Sequence, residues 1–242
     1  MPSLMVVPMV MAHEIANGQL WVQLTLGFVA FSFCASSVYI LNDLLDLDAD
    51  RAHPSKKCRP LASGRLWISH GFVAAPALLL IGIAVAGAMS EPYLFLRWLV
   101  AYLILTFSYS LYLKQKMIVD VLVLAGLYTI RIVAGGQATG LFPTEWLMAF
   151  AMFMFLSLAF AKRYAELRRL ETEARTHAEG RGYRVEDLAI VGGLGASSGY
   201  LAVLVFILYL NESEDVRGSP LVLMLISPIL FYWISRLWIL AR

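Results

Sequence analysis

Long apolar runs are the feature that most restricts how this chain can fold. A run of about 20 apolar residues is long enough to cross a bilayer as a helix. Because lipid cannot satisfy the hydrogen bonds of exposed backbone, single segments that span a membrane in this way are helical. The pattern therefore predicts an all-α integral membrane protein with helices over about 2–13, 20–46, 68–89, 93–113, 117–138, 144–170, 188–210 and 219–241.

The composition supports a membrane protein and argues against a soluble domain. Of the 242 residues, 60% are hydrophobic and 15% are charged, whereas a soluble domain is about half apolar and a quarter charged. The segment over 2–13 is too short to span a bilayer.

Cys34 lies in an apolar run and Cys58 in a polar loop, so the two predict neither a disulfide framework nor a zinc site.

Charged residues alternate between two sets of connections. Six acids lie in or beside the short connections 14–19, 90–92, 139–143 and 211–218, where Arg217 is the one basic residue: Glu14, Glu91, Glu145, Glu212, Glu214 and Asp215. Lys and Arg are concentrated in 51–65, 114–116 and 162–184. Basic loops remain in the cytoplasm, so the long loops 43–67 and 163–187 are predicted to form a shared cytoplasmic cap over the helix bundle.

The most polar passage, Asn42 to Gly64, reads NDLLDLDADRAHPSKKCRPLASG and follows an apolar run directly. If the helix continues, Asn42, Asp46 and Asp50 share one face and Asp43 lies beside it. Negative charge at a helix C-terminus is unfavourable, so a cation should compensate these acids. Oxygen ligands on successive turns suit Mg²⁺ that keeps several waters and bridges to phosphate.

The basic residues that follow the acids have two interpretations. The five cations that follow the acids could neutralise the carboxylates in a solvated network of charges, with Lys56 and Arg59 among them. They could equally complete a pyrophosphate site by binding the oxygens that the metal does not cover.

A second polar group lies on the segment that contains Tyr109, Lys114, Asp120, Tyr128 and Arg131. Asp120 and Arg131 are close to three helical turns apart and therefore share a face. An arginine near the middle of a membrane normally faces a partner or a wet cavity. A structural Arg131–Asp120 pair and a ligand-facing Arg131 are both open, and the two are compatible.

The end of the sixth helix, AFAKRYAELRRLE, places Lys162, Arg163 and Glu166 within about one turn. Arg168 and Arg169 are interpreted as ordinary positive charge at the membrane surface. Lys162 and Arg163 lie nearer the membrane, which favours an anion-binding role.

The motif NDxxDxxxD at Asn42, Asp43, Asp46 and Asp50, followed by HPSKKCRPLASG over 53–64, resembles the UbiA superfamily of intramembrane prenyltransferases. The resemblance implies a bundle of nine helices around a central cavity, and a Mg²⁺-pyrophosphate donor bound through those four residues. It also implies that Asp43, Asp46, Lys56 and Arg59 act in catalysis.

Within the superfamily, KRYAEL, YSxxLK and YTIRIVAGG most resemble the decaprenyl-phosphate phosphoribosyltransferase branch. That branch implies phosphoribosyl pyrophosphate as the donor, a polyprenyl phosphate as the acceptor and release of pyrophosphate. The candidate substrate-binding residues are then Tyr109, Lys114, Asp120, Tyr128, Arg131, Lys162, Arg163 and Glu166. Aromatic prenyltransferases of the superfamily usually carry a DxxxD-type motif at the second site, whereas Lys162 to Glu166 has one carboxylate and two cations and is better suited to phosphate.

The resemblance covers nearly the whole chain and leads to the expectation of one domain, 1–242, with about eight helices, lacking the start of the first family helix and the ninth. The expected location is multi-pass in a bacterial inner membrane, among membrane lipids. A homo-oligomer is left open, and no nucleic-acid partner is expected. Two alternatives also remain: prenyl transfer from an isoprenyl pyrophosphate to an aromatic or other small acceptor, and a non-catalytic lipid-binding protein or transporter.

Overall fold

The structure, a computed structural model, describes residues 2–52, 56–173, 182–212 and 220–241. A 3₁₀ turn over Pro2–Val6 leads into the first α-helix, and further 3₁₀ turns lie at Lys56–Cys58, Leu113–Gln115 and Val185–Asp187. The α-helices are α1 (Val7–Met11), α2 (Gly18–Leu45), α3 (Leu47–Ala52), α4 (Ile68–Gly87), α5 (Pro92–Leu111), α6 (Val119–Thr139), α7 (Glu145–Thr172), α8 (Leu188–Glu212) and α9 (Pro220–Ala241).

The helices confirm the all-α membrane class predicted from the apolar runs. Six helical segments in the described part of the chain are long and apolar enough to cross a membrane: Gly18–Leu45, Ile68–Gly87, Pro92–Leu111, Val119–Thr139, Glu145–Thr172 and Val185–Leu210. The apolar stretch of α9 described there is shorter, Leu225–Ala241. The predicted segment 2–13 is a 3₁₀ turn followed by the five residues of α1.

Local side chains explain where the long helices begin. The Asn17 side chain accepts a hydrogen bond from the Gln19 N–H at 3.2 Å, which caps α2. Thr144 caps α7 in the same way by accepting from the Leu147 N–H at 3.2 Å. These short polar side chains satisfy donors that have no partner within the helix.

Contacts between residues divide the chain into two compact units. The first unit comprises Met1–Ser110 and Ile130–Phe142. In it, α2 packs against α4. The contact is close because a Cβ on Gly82 would lie only 2.6 Å from Cys34 Sγ, and the Ser37 hydroxyl donates to the Ala75 carbonyl at 2.7 Å. Small residues permit this approach of two membrane helices.

The second unit comprises Leu111–Thr129 and Pro143–Arg242. Helix α7 packs against α8, and α9 contacts both. The Ser157 hydroxyl donates to the Gly195 carbonyl at 2.7 Å and accepts from the Trp238 indole N–H at 3.1 Å. A separate core cluster includes Val121, Phe160 and Tyr183. The single domain over 1–242 and the shared cytoplasmic cap stay predictions.

Candidate functional site

The acidic motif lies where α2 gives way to α3. Helix α2 ends at Leu45, and Asp46 is its C-cap. The Asp46 N–H donates to the Asn42 carbonyl at 2.9 Å, and the Asp50 N–H donates to the Asp46 carbonyl at 2.8 Å. Both are bonds of helical spacing. The helical register therefore continues through the interruption, as the predicted i, i+4, i+8 arrangement requires.

One arginine brings two of the acids together. Arg59 Nη1 donates to Asp43 Oδ1 at 2.8 Å and to Asp50 Oδ2 at 2.7 Å. Lys56 Nζ lies 3.9 Å from Asp50 Oδ1. The Asp50 side chain is only 2% exposed, whereas Asp43 is 30% exposed. The compensating cation expected from the sequence is present, and the carboxylates converge on a positive charge.

Asn42 supplies an observation that bears on a metal. Its Oδ1 atom is buried and has no hydrogen-bond partner, although buried polar atoms are normally paired. A hard cation accepts such an amide oxygen as a ligand, together with carboxylates. Asn42, Asp43 and Asp50 therefore fit Mg²⁺. Within the described ranges, no three His, Cys, Asp or Glu side chains are grouped to hold a metal, so water and phosphate oxygens would complete the coordination.

Asp46 and Tyr109 are two further predicted site residues of the first unit. Asp46 is partly buried at the end of α2. Tyr109 is partly buried near the end of α5. Residues 53–55 of the basic motif lie outside the described residues, as do Arg175, Arg181, Glu214, Asp215 and Arg217.

Arg131 is buried against aromatic rings in the first unit. Its Nη2 donates to the Tyr102 hydroxyl at 3.2 Å. Its Cζ lies 5.2 Å from the centroid of the Tyr102 ring and 6.0 Å from that of Phe31. The two rings are in contact, with centroids 4.3 Å apart. Cation–π contacts of this length stabilise a guanidinium away from water. Sequence reasoning identified Arg131 but missed both aromatic partners.

The hypothesis of a direct Arg131–Asp120 pair is wrong. Eleven residues of helix separate the two backbones by about 16 Å along the axis, which exceeds the reach of the side chains. Asp120 instead accepts from Arg163 Nε at 2.6 Å through Oδ2. Sharing a helix face did not imply contact, because the spacing along the axis was too large.

Asp120 is the centre of a buried network in the second unit. Its Oδ1 accepts from the Tyr183 hydroxyl at 2.8 Å. Arg163, which is 2% exposed, also donates through Nη1 to Glu166 Oε2 at 2.6 Å. Two carboxylates therefore satisfy this guanidinium. Buried charges require such pairing, because desolvation of an isolated ion is costly. Direct phosphate binding by Arg163 stays a prediction.

Tyr183 is the functional candidate that the sequence did not reveal. It is 1% exposed, and its hydroxyl also accepts from the Ile118 N–H at 2.9 Å. Burial raises the pKa of the Tyr183 phenol above its usual value, and the hydrogen bond to the Asp120 carboxylate raises it further. The phenol therefore stays protonated and remains a donor. A tyrosine in a polar loop gives no periodic signal, so nothing in the sequence singled it out.

The remaining predicted residues also lie in the second unit. Lys114 is partly buried in the turn Leu113–Gln115, and Lys162 is exposed on α7 beside Arg163. The Tyr128 ring stacks on Phe155 with centroids 5.1 Å apart. The surface interpretation of Arg168 and Arg169 agrees with the structure, where their partners are the nearby Glu171 and Glu173.

An apolar groove of about 400 Å³ lies in the first unit between α2, α4 and α5. Leu79, Leu103 and Phe107 form part of its lining. Its wall on α2 consists of Ser37, Val38 and Leu41, so the groove reaches the residue immediately before Asn42. An apolar chain could therefore lie in the first unit close to the acidic motif.

Comparison with known proteins agrees with the motif. A family model described as the UbiA prenyltransferase family matches residues 1–241. The chain is 36% identical over 221 residues to the uncharacterized protein y4nM of Sinorhizobium fredii, covering 90% of this chain and 42% of that protein. It is 35% identical over 201 residues to the decaprenyl-phosphate phosphoribosyltransferase of Mycobacterium tuberculosis, covering 81% of this chain and 64% of that enzyme.

The chain thus spans less than two thirds of the length of both relatives. A UbiA homolog from Archaeoglobus fulgidus, solved bound to DMAPP and Mg²⁺, matches with a TM-score of 0.71 and 17% identity. The match covers 90% of this chain and 75% of that one. It shows a shared fold. The chain belongs to the UbiA prenyltransferase family, and its similarity within that family extends to the decaprenyl-phosphate phosphoribosyltransferases.

Proposed function

We propose that the protein is a Mg²⁺-dependent membrane transferase that uses a pyrophosphate-bearing donor. The observation that carries this proposal is the convergence of Asp43 and Asp50 on one cation, at 2.8 and 2.7 Å, beside the unpaired buried oxygen of Asn42. Asp46 would contribute from the end of α2. Carboxylate and amide oxygens in this arrangement suit a metal that also binds phosphate oxygens.

The proposed reaction is transfer of 5-phosphoribosyl from phosphoribosyl pyrophosphate to a polyprenyl phosphate. A phosphate oxygen of the lipid forms a bond to the anomeric carbon, and the bond from that carbon to the pyrophosphate oxygen breaks. Pyrophosphate leaves with the electron pair, and an ionised acceptor oxygen has no proton to lose. Bound Mg²⁺ supplies charge neutralisation for the leaving group.

The chain's own residues bind and orient the substrates in this scheme. Lys56 and Arg59 neutralise pyrophosphate oxygens through charge-assisted hydrogen bonds. Arg131 in the first unit, and Lys114 and Lys162 in the second, are each proposed to bind a further phosphate of the donor or the acceptor. Tyr109 and Tyr128 are each proposed to contact substrate. Stabilisation of the charge that develops on a leaving group commonly contributes more to catalysis than any other single effect. Because the phosphate oxygen of the lipid is the nucleophile, the scheme needs no nucleophilic side chain.

Two observations favour this donor and this acceptor. The Mycobacterium tuberculosis relative is a decaprenyl-phosphate phosphoribosyltransferase, and it aligns with 81% of this chain. The apolar groove that ends beside Asn42 offers an apolar chain a surface next to the motif.

Prenyl transfer is the second candidate, since the family model that matches residues 1–241 is described as the UbiA prenyltransferase family. The Archaeoglobus fulgidus homolog was solved with DMAPP and, separately, with GPP, each together with Mg²⁺. At 17% identity that likeness supports the fold and not the donor. A non-catalytic lipid-binding protein or transporter is the alternative of another class.

The test uses purified protein in lipid nanodiscs with Mg²⁺ and compares two reactions. One contains phosphoribosyl pyrophosphate and a polyprenyl phosphate, and the other contains an isoprenyl pyrophosphate and an aromatic acceptor. Pyrophosphate release and the mass of the product are measured. With phosphoribosyl pyrophosphate we expect a phosphoribosylated lipid. Asp43→Asn should lower kcat by about a hundredfold, since it weakens electrostatic stabilisation of the leaving group. Asp48→Asn is the matched control, because the Asp48 carboxylate is fully exposed and lies 3.9 Å from Arg51.

The outcomes separate the candidates. Release of pyrophosphate from an isoprenyl donor alone would establish the prenyl alternative. No release from either donor, with Asp43→Asn indistinguishable from wild type, would support the non-catalytic alternative. Equal losses in Asp43→Asn and Asp48→Asn would show that general negative charge matters and that the proposed metal site does not.

A further inference from the structure

We propose that Tyr183 is a positioning residue that holds the cations of the second unit in the geometry needed to bind the donor's 5-phosphate. The inference rests on the proposed function and adds a residue that neither the motif nor the family resemblance assigns. Tyr183 belongs to the segment that precedes α8, and its partners lie on the turn before α6 and at the start of α6.

The Tyr183 hydroxyl joins two separate parts of the chain. It accepts from the Ile118 N–H at 2.9 Å and donates to Asp120 Oδ1 at 2.8 Å. Both partners are more than 60 positions away in sequence. Because the hydroxyl is buried, water cannot replace it if it is removed. A buried donor or acceptor that loses its partner costs more than the bond itself contributes.

The backbone that Tyr183 holds is strained. Ile118 has φ of +67°, a conformation that β-branched residues rarely adopt. Such a conformation persists where surrounding contacts enforce it, and the Ile118 N–H is the group that Tyr183 binds. Removing the hydroxyl therefore removes a contact that holds Ile118 in its strained conformation, and the turn is expected to change its backbone conformation.

Gly182 gives a second contact with the same turn. A Cβ at this position would lie 2.7 Å from the Gln115 carbonyl oxygen and 3.2 Å from the Met117 nitrogen. The 182–183 segment thus lies directly on the turn that carries Lys114. Only a residue without a side chain permits this approach of two backbones.

The same hydroxyl acts on α7 through Asp120. One Asp120 oxygen binds Tyr183 and the other binds Arg163, at 2.8 and 2.6 Å. Lys162 directly precedes Arg163 on α7. Tyr183 therefore orients both chain segments that carry the proposed phosphate-binding lysines, Lys114 and Lys162. It would set the geometry of a phosphate site without touching the phosphate.

The experiment measures ligand binding to the purified full chain with Mg²⁺ and without lipid acceptor, by calorimetry. In Tyr183→Phe, the Kd for phosphoribosyl pyrophosphate should rise about tenfold, the loss of one hydrogen bond to a charged group. The Kd for inorganic pyrophosphate, which the acidic motif is proposed to bind, should change less than about twofold. A general folding defect would weaken both ligands alike.

Two further variants frame the result. Gly182→Ala displaces the same turn by a clash and should reproduce the split between the two ligands. Tyr200→Phe is the matched control, because it removes a hydroxyl that bonds to Ser235 at an exposed site on α8. Its two Kd values should equal those of wild type.

The outcomes distinguish the inference from the proposed function. If wild type binds and uses phosphoribosyl pyrophosphate but Tyr183→Phe binds it equally well, the inference is overturned and the function stands. If both ligands weaken equally in Tyr183→Phe, its role is structural and the inference is again overturned. If wild type binds pyrophosphate and not phosphoribosyl pyrophosphate, the proposed donor and the positioning role both fail.

Discussion

At the scale of single residues, what could be predicted depended on sequence separation. Repulsion among several acids at a helix end indicated that a cation should lie nearby in the sequence. Arg59, which lies nine residues after Asp50, is that cation. Asp120 lies 43 residues before Arg163 and 63 before Tyr183. No periodicity or charge pattern relates such distant positions, and only tertiary packing brings them together. The sequence therefore indicated Arg163 and its near neighbour Glu166 but not the pairing of Arg163 with Asp120.

The Asp120–Arg163 pair gives a stability prediction at this scale. Asp120→Asn should lower the free energy of unfolding by about 3 kcal/mol, because the Arg163 charge stays buried after losing one partner. Glu166 remains bonded to Arg163, which keeps the loss at the lower end of the usual range. Unfolding of the purified protein in mixed micelles, followed by circular dichroism, gives the measurement.

An exposed ion pair on the same helix provides the control. Glu171 pairs with Arg168 three positions away, and both side chains are more than 40% exposed. Glu171→Gln should therefore change the free energy of unfolding by less than about 1 kcal/mol. An equal effect of the two substitutions would contradict the claim that burial makes the Asp120 pair important.

At the scale of helices, the apolar runs predicted the elements well and their contacts poorly. The predicted 20–46 and 144–170 correspond to α2 and α7 within two residues at each end. Run length defines a membrane helix because the bilayer requires about 20 apolar residues. Which face of a helix meets a neighbour is harder to predict, since residues that face lipid are as apolar as those in a helix contact.

Gly135 and Gly126 of α6 test one such contact. A Cβ on Gly135 would lie 2.1 Å from the Met5 carbonyl oxygen, whereas nothing lies within 4 Å of one on Gly126. Gly135→Ala should destabilise the protein by about 1–3 kcal/mol through overpacking. Gly126→Ala should stabilise it by about 0.5–1 kcal/mol, because alanine favours the helix.

Both values come from the same unfolding measurement in mixed micelles. The two substitutions add the same methyl group to the same helix, so a difference in sign isolates the contact with Met5. Stabilisation of both variants would show that the first 3₁₀ turn does not pack against α6 as described.

At the scale of the whole molecule, the class and family could be predicted from the sequence, and the membrane orientation is a prediction that labelling can test. Six candidate spans among the described residues and the family match establish an integral membrane protein. The sequence predicts that the basic loops face the cytoplasm, by the distribution of Lys and Arg. Cys58 lies exposed in one of these loops, whereas Cys34 is buried in α2. The natural cysteines can therefore report orientation.

A membrane-impermeant maleimide should label Cys58 in inverted inner-membrane vesicles and leave it unlabelled in intact spheroplasts. The reagent reaches a thiol only from the side on which that thiol is exposed. Cys58→Ser should abolish labelling in both preparations, because Cys34 is buried. Mass spectrometry of the labelled peptide provides the measurement, and labelling of Cys58 in spheroplasts would reverse the predicted orientation.

Arg59 has a consequence for the order in which the metal and the donor bind. The guanidinium already neutralises Asp43 and Asp50, so a divalent ion bound there, as proposed, would have to displace an internal counterion. An arriving pyrophosphate offers the displaced guanidinium a new anionic partner. Metal and donor should then bind with positive cooperativity, each raising the affinity of the other by the same factor. The arginine would thus keep the acidic helix end stable in the absence of metal and favour loading of the ion when there is a substrate to use it.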